Sequence, residues 1–211
     1  MHIGGIEKLS LLDYPDKICC TIFTVGCNYR CPFCHNASIV QKNGPEQSIA
    51  PQEIIAFLEK RRGLLDGVCV SGGEPLLQDG LEPFLQEIKT LGFSIKIDTN
   101  GSNPQRLRKL IDMGLVDYIA MDVKNAPENY GQAIGIKDYD LESVGESISL
   151  LLSGIIPYEF RTTVVRELHT GQAIVSIARW LKGARHYYLQ SFADSGDILA
   201  SGLSGYSKEN M

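Results

Sequence analysis

No stretch of this 211-residue chain approaches the roughly 20 apolar residues a membrane-spanning helix needs, and "MHIGGIEKLS" lacks the basic-then-apolar order of a secretory signal. Both absences predict a cytoplasmic protein with no membrane partner. Positive charge is also in short supply. Twenty Lys and Arg against 25 Asp and Glu give a formal net charge of -5. Such a balance supplies no basic field for a phosphate backbone and argues against a nucleic-acid partner. There is no low-complexity tract, no interdomain linker, and no repeat beyond a strand-helix unit. A chain that is 44% hydrophobic is therefore expected to form one domain over 1–194, leaving the Gly- and Ser-rich tail 195–211 loose or as an incomplete element. Cysteine is not scarce. In a reducing cytosol the six cysteines are thiols or metal ligands and not a disulfide framework.

Helical periodicity and short apolar runs alternate from residue 51 onward. "PQEIIAFLEKRR" opens with a proline, tolerated at a helix start, and sets Ile54, Ile55 and Leu58 on one face before the strand-like "GVCVSG". Three further helix-strand pairs follow: "GLEPFLQEIKTLG" with "SIKIDT", "NPQRLRKLIDMG" with "DYIAMDV", and "DLESVGESISLLLSG" with "YEFRTTV". "GQAIVSIARWLKG" with "HYYLQSF" closes the series. With "KICCTIFTV" (17–25) as the first strand, six strands are joined by helix-length crossovers. This pattern predicts an α/β fold, a partial (β/α)6 TIM-like barrel, since a closed eight-stranded barrel takes about 250 residues. A flat doubly wound sheet is the alternative. In either fold, catalytic groups belong at the C-terminal strand ends.

Directly after the first strand, "GCNYRCPFCHN" places Cys27, Cys31 and Cys34 on one polar loop. Adding His35 would give a Cys3His zinc site. Adjacent side chains diverge, however, and zinc pairs are typically two to four residues apart, so His35 is expected outside the metal's ligand set. Three thiolates on a four-iron cluster leave one iron open to a substrate.

"CNYRCPFC" resembles the C-x3-C-x-aromatic-C signature of radical S-adenosylmethionine (radical SAM) enzymes, with Phe33 at the aromatic position. The resemblance implies one [4Fe-4S] cluster held by three cysteines, with its unique iron chelating the methionyl end of SAM. It also gives the later strand ends a meaning. "VSGGEP" matches the family's GGEP motif, so Gly72, Gly73 and Glu74 are expected near the SAM amino group, with the glycines letting backbone approach closely and Glu74 accepting from an ammonium. In "DTNG", Asp98 and Asn100 are candidates for the ribose hydroxyls. In "MDVK", Asp122 and Lys124 share one strand face and are candidates for the methionyl end. Arg161 in "FRTTV" is placed to fork onto a carboxylate, as a cofactor contact or as a structural ion pair, and Gln190 is a weaker candidate. Cys19, Cys20 and Cys69 lie in apolar strand runs and read as structural, while His2, His169 and His186 have no companion at ligand spacing.

Within the family, "SLLDYP" before the first strand and "GCNYRCPFCHN" after it most resemble the activating proteins of glycyl-radical enzymes. Among these, the anaerobic ribonucleoside-triphosphate reductase activating proteins are nearest, with pyruvate formate-lyase activators next. That likeness implies a protein substrate, one of whose glycines loses a hydrogen, and flavodoxin or ferredoxin as electron donor. A chain with little beyond the barrel leaves the mouth open to such a substrate. The cysteine-free "ASIVQKNGPEQSIA" implies a single cluster. A radical SAM enzyme acting on a small molecule, such as a 7-carboxy-7-deazaguanine synthase, and a non-catalytic zinc protein are the competing readings. Asp16 stands where many relatives have glycine, and Gln190 where pyruvate formate-lyase activators have a histidine.

Overall fold

The computed structural model of the protein describes residues 1–40, 48–194 and 196–207. Its strands are β1 (Ile3–Ser10), β2 (Cys19–Thr24), β3 (Gly67–Gly72), β4 (Ser94–Thr99), β5 (Tyr118–Asp122), β6 (Tyr158–Val164) and β7 (Tyr187–Ser191). They form one sheet in strictly sequential order. β2 to β7 are parallel throughout, whereas β1 pairs antiparallel with β2. A doubly wound sheet would reverse strand order at a switch point. None occurs among the described residues, so the expected six-stranded parallel sheet is the partial barrel, with β1 added at its edge.

The helices are α1 (Ala37–Val40), α2 (Pro51–Glu59), α3 (Leu81–Thr90), α4 (Pro104–Asp112), α5 (Tyr130–Ile134), α6 (Leu141–Leu152) and α7 (Gly171–Trp180). Several announce themselves by caps. Asn103, Asp140 and Thr170 each accept from a backbone N–H in the first turn of the helix that follows. Their apolar faces pack on one side of the sheet. There Ile22, Val68, Val70, Ile95, Ile97, Ile119 and Phe160 join Leu58, Leu85, Ile88, Leu107, Leu110, Ile148 and Ile177 in the main core.

The opposite face is different in kind. It holds the small cluster of Tyr14, Cys19 and Cys69 at the base, with charged side chains above it. Tyr14, from the loop between β1 and β2, packs against Tyr118 and against the backbone of Gly67. The loop thus closes the lower end. Cys19, Cys20 and Cys69 are fully buried, and desolvation raises all three thiols, as suits inert packing residues. No helix among the described residues is long and apolar enough to cross a membrane.

The tail expected to be loose has no helix or strand among its described residues, but it lies back against the barrel mouth through several hydrogen bonds. Residues 41–47 of the cysteine-free stretch lie outside the described residues.

Candidate active site

The loop after β2 has no regular structure of its own, so its shape comes from neighbours. Gly26 and Cys27 donate backbone N–H bonds to Ile39 and Val40 of α1, and Arg30 N donates to Ile134 at the end of α5. The Arg30 guanidinium folds back onto the carbonyls of Cys27 and Tyr29, both at 2.7 Å. At Gly135, φ is +67° and a Cβ would strike the Arg30 carbonyl, so only glycine lets α5 end against this loop.

Cys27, Cys31 and Cys34 consequently line one cavity, together with Tyr29, Phe33, Asn36, Gly72, Gly73, Asp98, Asn100, Asp122, Lys124, Arg161 and Gln190. Burial pushes the Cys27 thiol up to about 11, with Glu74 adding to it, and the Cys31 thiol up to about 12. Cys34 is raised by the same desolvation. Empty, the three are neutral thiols, and loading them with metal must release protons. Three thiols sharing one cavity are a donor set that suits an iron–sulfur cluster, in which each binds its own iron. His35, the fourth donor a zinc site would require, also lines this cavity, but it is exposed and its ring stacks on Phe192 at 5.3 Å. The Tyr29 hydroxyl is buried beside the cysteines without a hydrogen-bond partner among the described residues.

Gly72 and Gly73 reach the cavity for a reason beyond ligand approach. A Cβ on Gly72 would collide with the backbone of Thr24, and one on Gly73 with the carbonyl of Gly26. Bare backbone is needed for the ends of β2 and β3 to meet. Glu74 does not line the cavity. It is 1% exposed, and its carboxylate accepts from Leu76 N, Thr99 Oγ1 and Asn100 N at 3.1, 2.8 and 2.7 Å. It is occupied in joining the β3 and β4 loops. Asn100 is similarly committed, donating to Asn28 Oδ1 at 2.9 Å and accepting from Ser102 N at 3.0 Å. It ties the β4 end to the cysteine loop.

Asp98, Asp122, Lys124 and Arg161 form one network. Arg161 Nε meets Asp122 Oδ1 at 2.9 Å and Nη2 meets Asp98 Oδ2 at 3.2 Å, while Lys124 Nζ lies 3.0 Å from Asp122 Oδ2. Arg161 therefore forks onto carboxylates of the protein itself. Desolvation opposes both aspartates, but Arg161 with Lys96 at Asp98, and Arg161 with Lys124 at Asp122, hold them below the usual carboxylate range. Burial likewise works against the Lys124 ammonium, and Asp122 keeps it charged.

Two residues of this architecture escape sequence reasoning. Lys96 is 1% exposed inside the barrel and reaches Asp98 Oδ1 at 2.5 Å. Its only signal is its place two residues before Asp98, on the same strand face. His169, read as a residue without companions, is 1% exposed, and its Nε2 lies 2.8 Å from the Lys124 carbonyl while its ring meets Phe33 edge-on at 6.2 Å. Nothing in sequence spacing links positions 124 and 169. Gln190 reaches the cavity from β7.

The Radical SAM superfamily model matches residues 21–181. A Methanocaldococcus jannaschii protein named as a glycyl-radical enzyme activating enzyme is 34% identical over 197 residues, covering 90% of this chain and 79% of the relative. The pyruvate formate-lyase-activating enzyme of Staphylococcus epidermidis is 35% identical over 107 residues, covering 47% of this chain and 41% of its own length. A domain of pyruvate-formate lyase-activating enzyme from Bacteroides vulgatus superposes with a TM-score of 0.55 at 21% identity, covering 68% of this chain and 86% of that one, a likeness of fold. By the breadth of the superfamily match and by its identity with the archaeal relative, the chain belongs to the radical SAM superfamily and, within it, to the glycyl-radical enzyme activating enzymes.

Proposed function

We propose that the protein abstracts a hydrogen atom from a glycine of a partner glycyl-radical enzyme, with anaerobic ribonucleotide reductase as the first partner to test and a pyruvate formate-lyase-like enzyme the second. Membership of the family brings a [4Fe-4S] cluster and SAM as cofactors. In this reading Cys27, Cys31 and Cys34 are the cluster ligands, and the iron they leave free takes the methionyl group of SAM. The observation that carries it is that all three thiols share one cavity with Phe33 and with groups from the ends of β3 to β7.

When bound, cluster and SAM supply a one-electron reductive cleavage that yields methionine and a 5'-deoxyadenosyl radical able to take a glycine hydrogen. The chain's own residues position and shield. Asp122 and Lys124 present a carboxylate and an ammonium, 3.0 Å apart, to a zwitterionic methionyl end. The bare backbone at Gly72 and Gly73 offers carbonyl oxygens to its amino group, the part assigned by sequence to Glu74 as well. Asp98 stands beside them for a ribose hydroxyl, Asn100 holds the β4 end against the cysteine loop, and Phe33 supplies an apolar wall. Arg161 acts by fixing both aspartates. A low-potential flavodoxin or ferredoxin in the cytoplasm would deliver the electron.

The test is anaerobic reconstitution followed by reduction with SAM and the candidate partner. A four-iron cluster absorbing near ~400 nm and a glycyl signal by electron paramagnetic resonance are expected. Zinc without sulfide would sink the cluster assignment. A cluster with no glycyl signal, alongside turnover of a small molecule, would favour the small-molecule reading.

A further inference from the structure

The cysteine loop is fastened in two halves. Its first half, through Cys31, is held by α1, by α5 and by Asn100, all parts of the barrel. Its second half, from Pro32 to the start of α1, has Asn36 donating to the Gly72 carbonyl at 3.2 Å and Phe33 packed against His169, and beyond these contacts it leans on the chain after β7. There Ala200 N donates to the Pro32 carbonyl at 3.0 Å, and Phe192 stacks on His35 at 5.3 Å. Both carboxylate oxygens of Asp197 receive bonds from Ser38: its N–H at 3.1 and 3.3 Å and its hydroxyl at 2.7 Å.

α1 is a single turn of four residues, too short to hold its shape unaided. Its Ile39 and Val40 carbonyls nonetheless receive the N–H groups of Gly26 and Cys27. Whatever steadies the start of α1 therefore steadies the root of the loop as well. Asp197 is that acceptor. The segment is also anchored at its far end. Arg166 N donates to the Ser204 carbonyl at 2.9 Å, the Ser204 hydroxyl donates to Glu167 at 2.6 Å, and the Tyr206 hydroxyl donates to the His169 carbonyl at 2.7 Å. A segment tied at both ends across a ligand-bearing loop reduces the conformations open to that loop before any metal arrives.

We infer that the described residues beyond β7, 196–206 above all, form a strap that fixes the second half of the cysteine loop in its ligating shape, with Asp197 as its fastening residue. The inference rests on the assignment of Cys27, Cys31 and Cys34 as cluster ligands. Asp197 is a positioning residue, since it reaches the thiols only through α1. Its removal should loosen the loop while leaving the barrel folded.

Asp197→Ala, Asp197→Asn and Ser38→Ala should be compared with the unmodified protein in two measurements. In the metal-free protein, amide hydrogen exchange at residues 38–40 is expected to quicken roughly fivefold in Asp197→Ala, the ratio that loss of an ordinary helix cap produces. Asp197→Asn keeps one oxygen acceptor and Ser38→Ala keeps the backbone bond, so both should fall between. In the reconstituted protein, iron release to a chelator should quicken in the same order, with the melting temperature nearly unchanged. Exchange and iron release both unaltered in Asp197→Ala, while the unmodified protein carries its cluster, would overturn the strap. If the unmodified protein takes up no iron and sulfide, the cluster assignment falls, and the exchange measurement still decides whether Asp197 fastens the loop.

Discussion

Glu74 is the residue whose place in the structure departs most from its place in the motif. Its carboxylate is buried beneath the cavity floor, and desolvation lifts its pKa to about 7 against the three hydrogen bonds that favour the charged form. The folded state therefore holds a proton more tightly than the unfolded chain between pH 4.5 and 7. Stability must fall as pH rises through that window and level off on either side, by up to about 3 kcal/mol. Denaturant titrations at pH 5, 6, 7 and 8 should show this slope in the unmodified protein, and Glu74→Gln should remove it. Asp16 makes a second residue-scale case. It alone among the described non-glycine residues has a positive φ, +59°. Asp tolerates the left-handed region better than most residues. Asp16→Gly should change stability by less than about 0.5 kcal/mol, and Asp16→Val should cost about 1–2 kcal/mol, as read by thermal melting. That Cys27, Cys31, Cys34 and Phe33 gather at one cavity was legible because their spacing is local. The occupation of Glu74 and Asn100 was not, because their partners lie on another loop.

At the scale of elements, Arg161 on β6 gathers the ends of β4 and β5 through Asp98 and Asp122. Arg161→Ala would leave two mostly buried carboxylates facing each other with only Lys96 and Lys124 to balance them. The expected loss is about 3 kcal/mol at pH 7, at the lower end for breaking a buried pair because Asp122 retains some exposure. Both aspartates are held below their ordinary values, so this contribution is present above about pH 4 and disappears as pH falls further and they protonate. Urea unfolding of both proteins should show the gap at pH 7 and its narrowing near pH 3. Helices α2, α3, α4, α6 and α7 and strands β2 to β7 could be read from the sequence because each buries one continuous stripe or run. β1 could not. Its pairing with β2 shifts register between Ile3 and Gly5 and again between Glu7 and Ser10, which breaks the two-residue alternation by which an edge strand is recognised.

For the molecule as a whole, the parallel strand order explains why residues 27 to 190 meet at one cavity. Each crossover returns the chain to the same end of the sheet, so every strand end, once identified, is already aimed at the mouth. Most of the apolar core lies on the helix side, and the mouth is lined largely by polar and ionic groups from the strand ends. Binding there should consequently stabilise loops that are held largely by polar contacts. A ligand held by the native state alone adds about 4 kcal/mol when present at a thousand times its dissociation constant. For a chain of this size that corresponds to a rise in melting temperature of roughly 8–16 °C. Anaerobic calorimetry should find the reconstituted protein melting higher than the metal-free form by about this margin. Cys27→Ala, Cys31→Ala and Cys34→Ala should each lose iron and melt with the metal-free form, whereas Cys69→Ala and His35→Ala should keep their iron, with Cys69→Ala melting lower in both states through a small cavity. Iron retained in full by Cys31→Ala, or lost with His35, would place the metal on a different set of ligands.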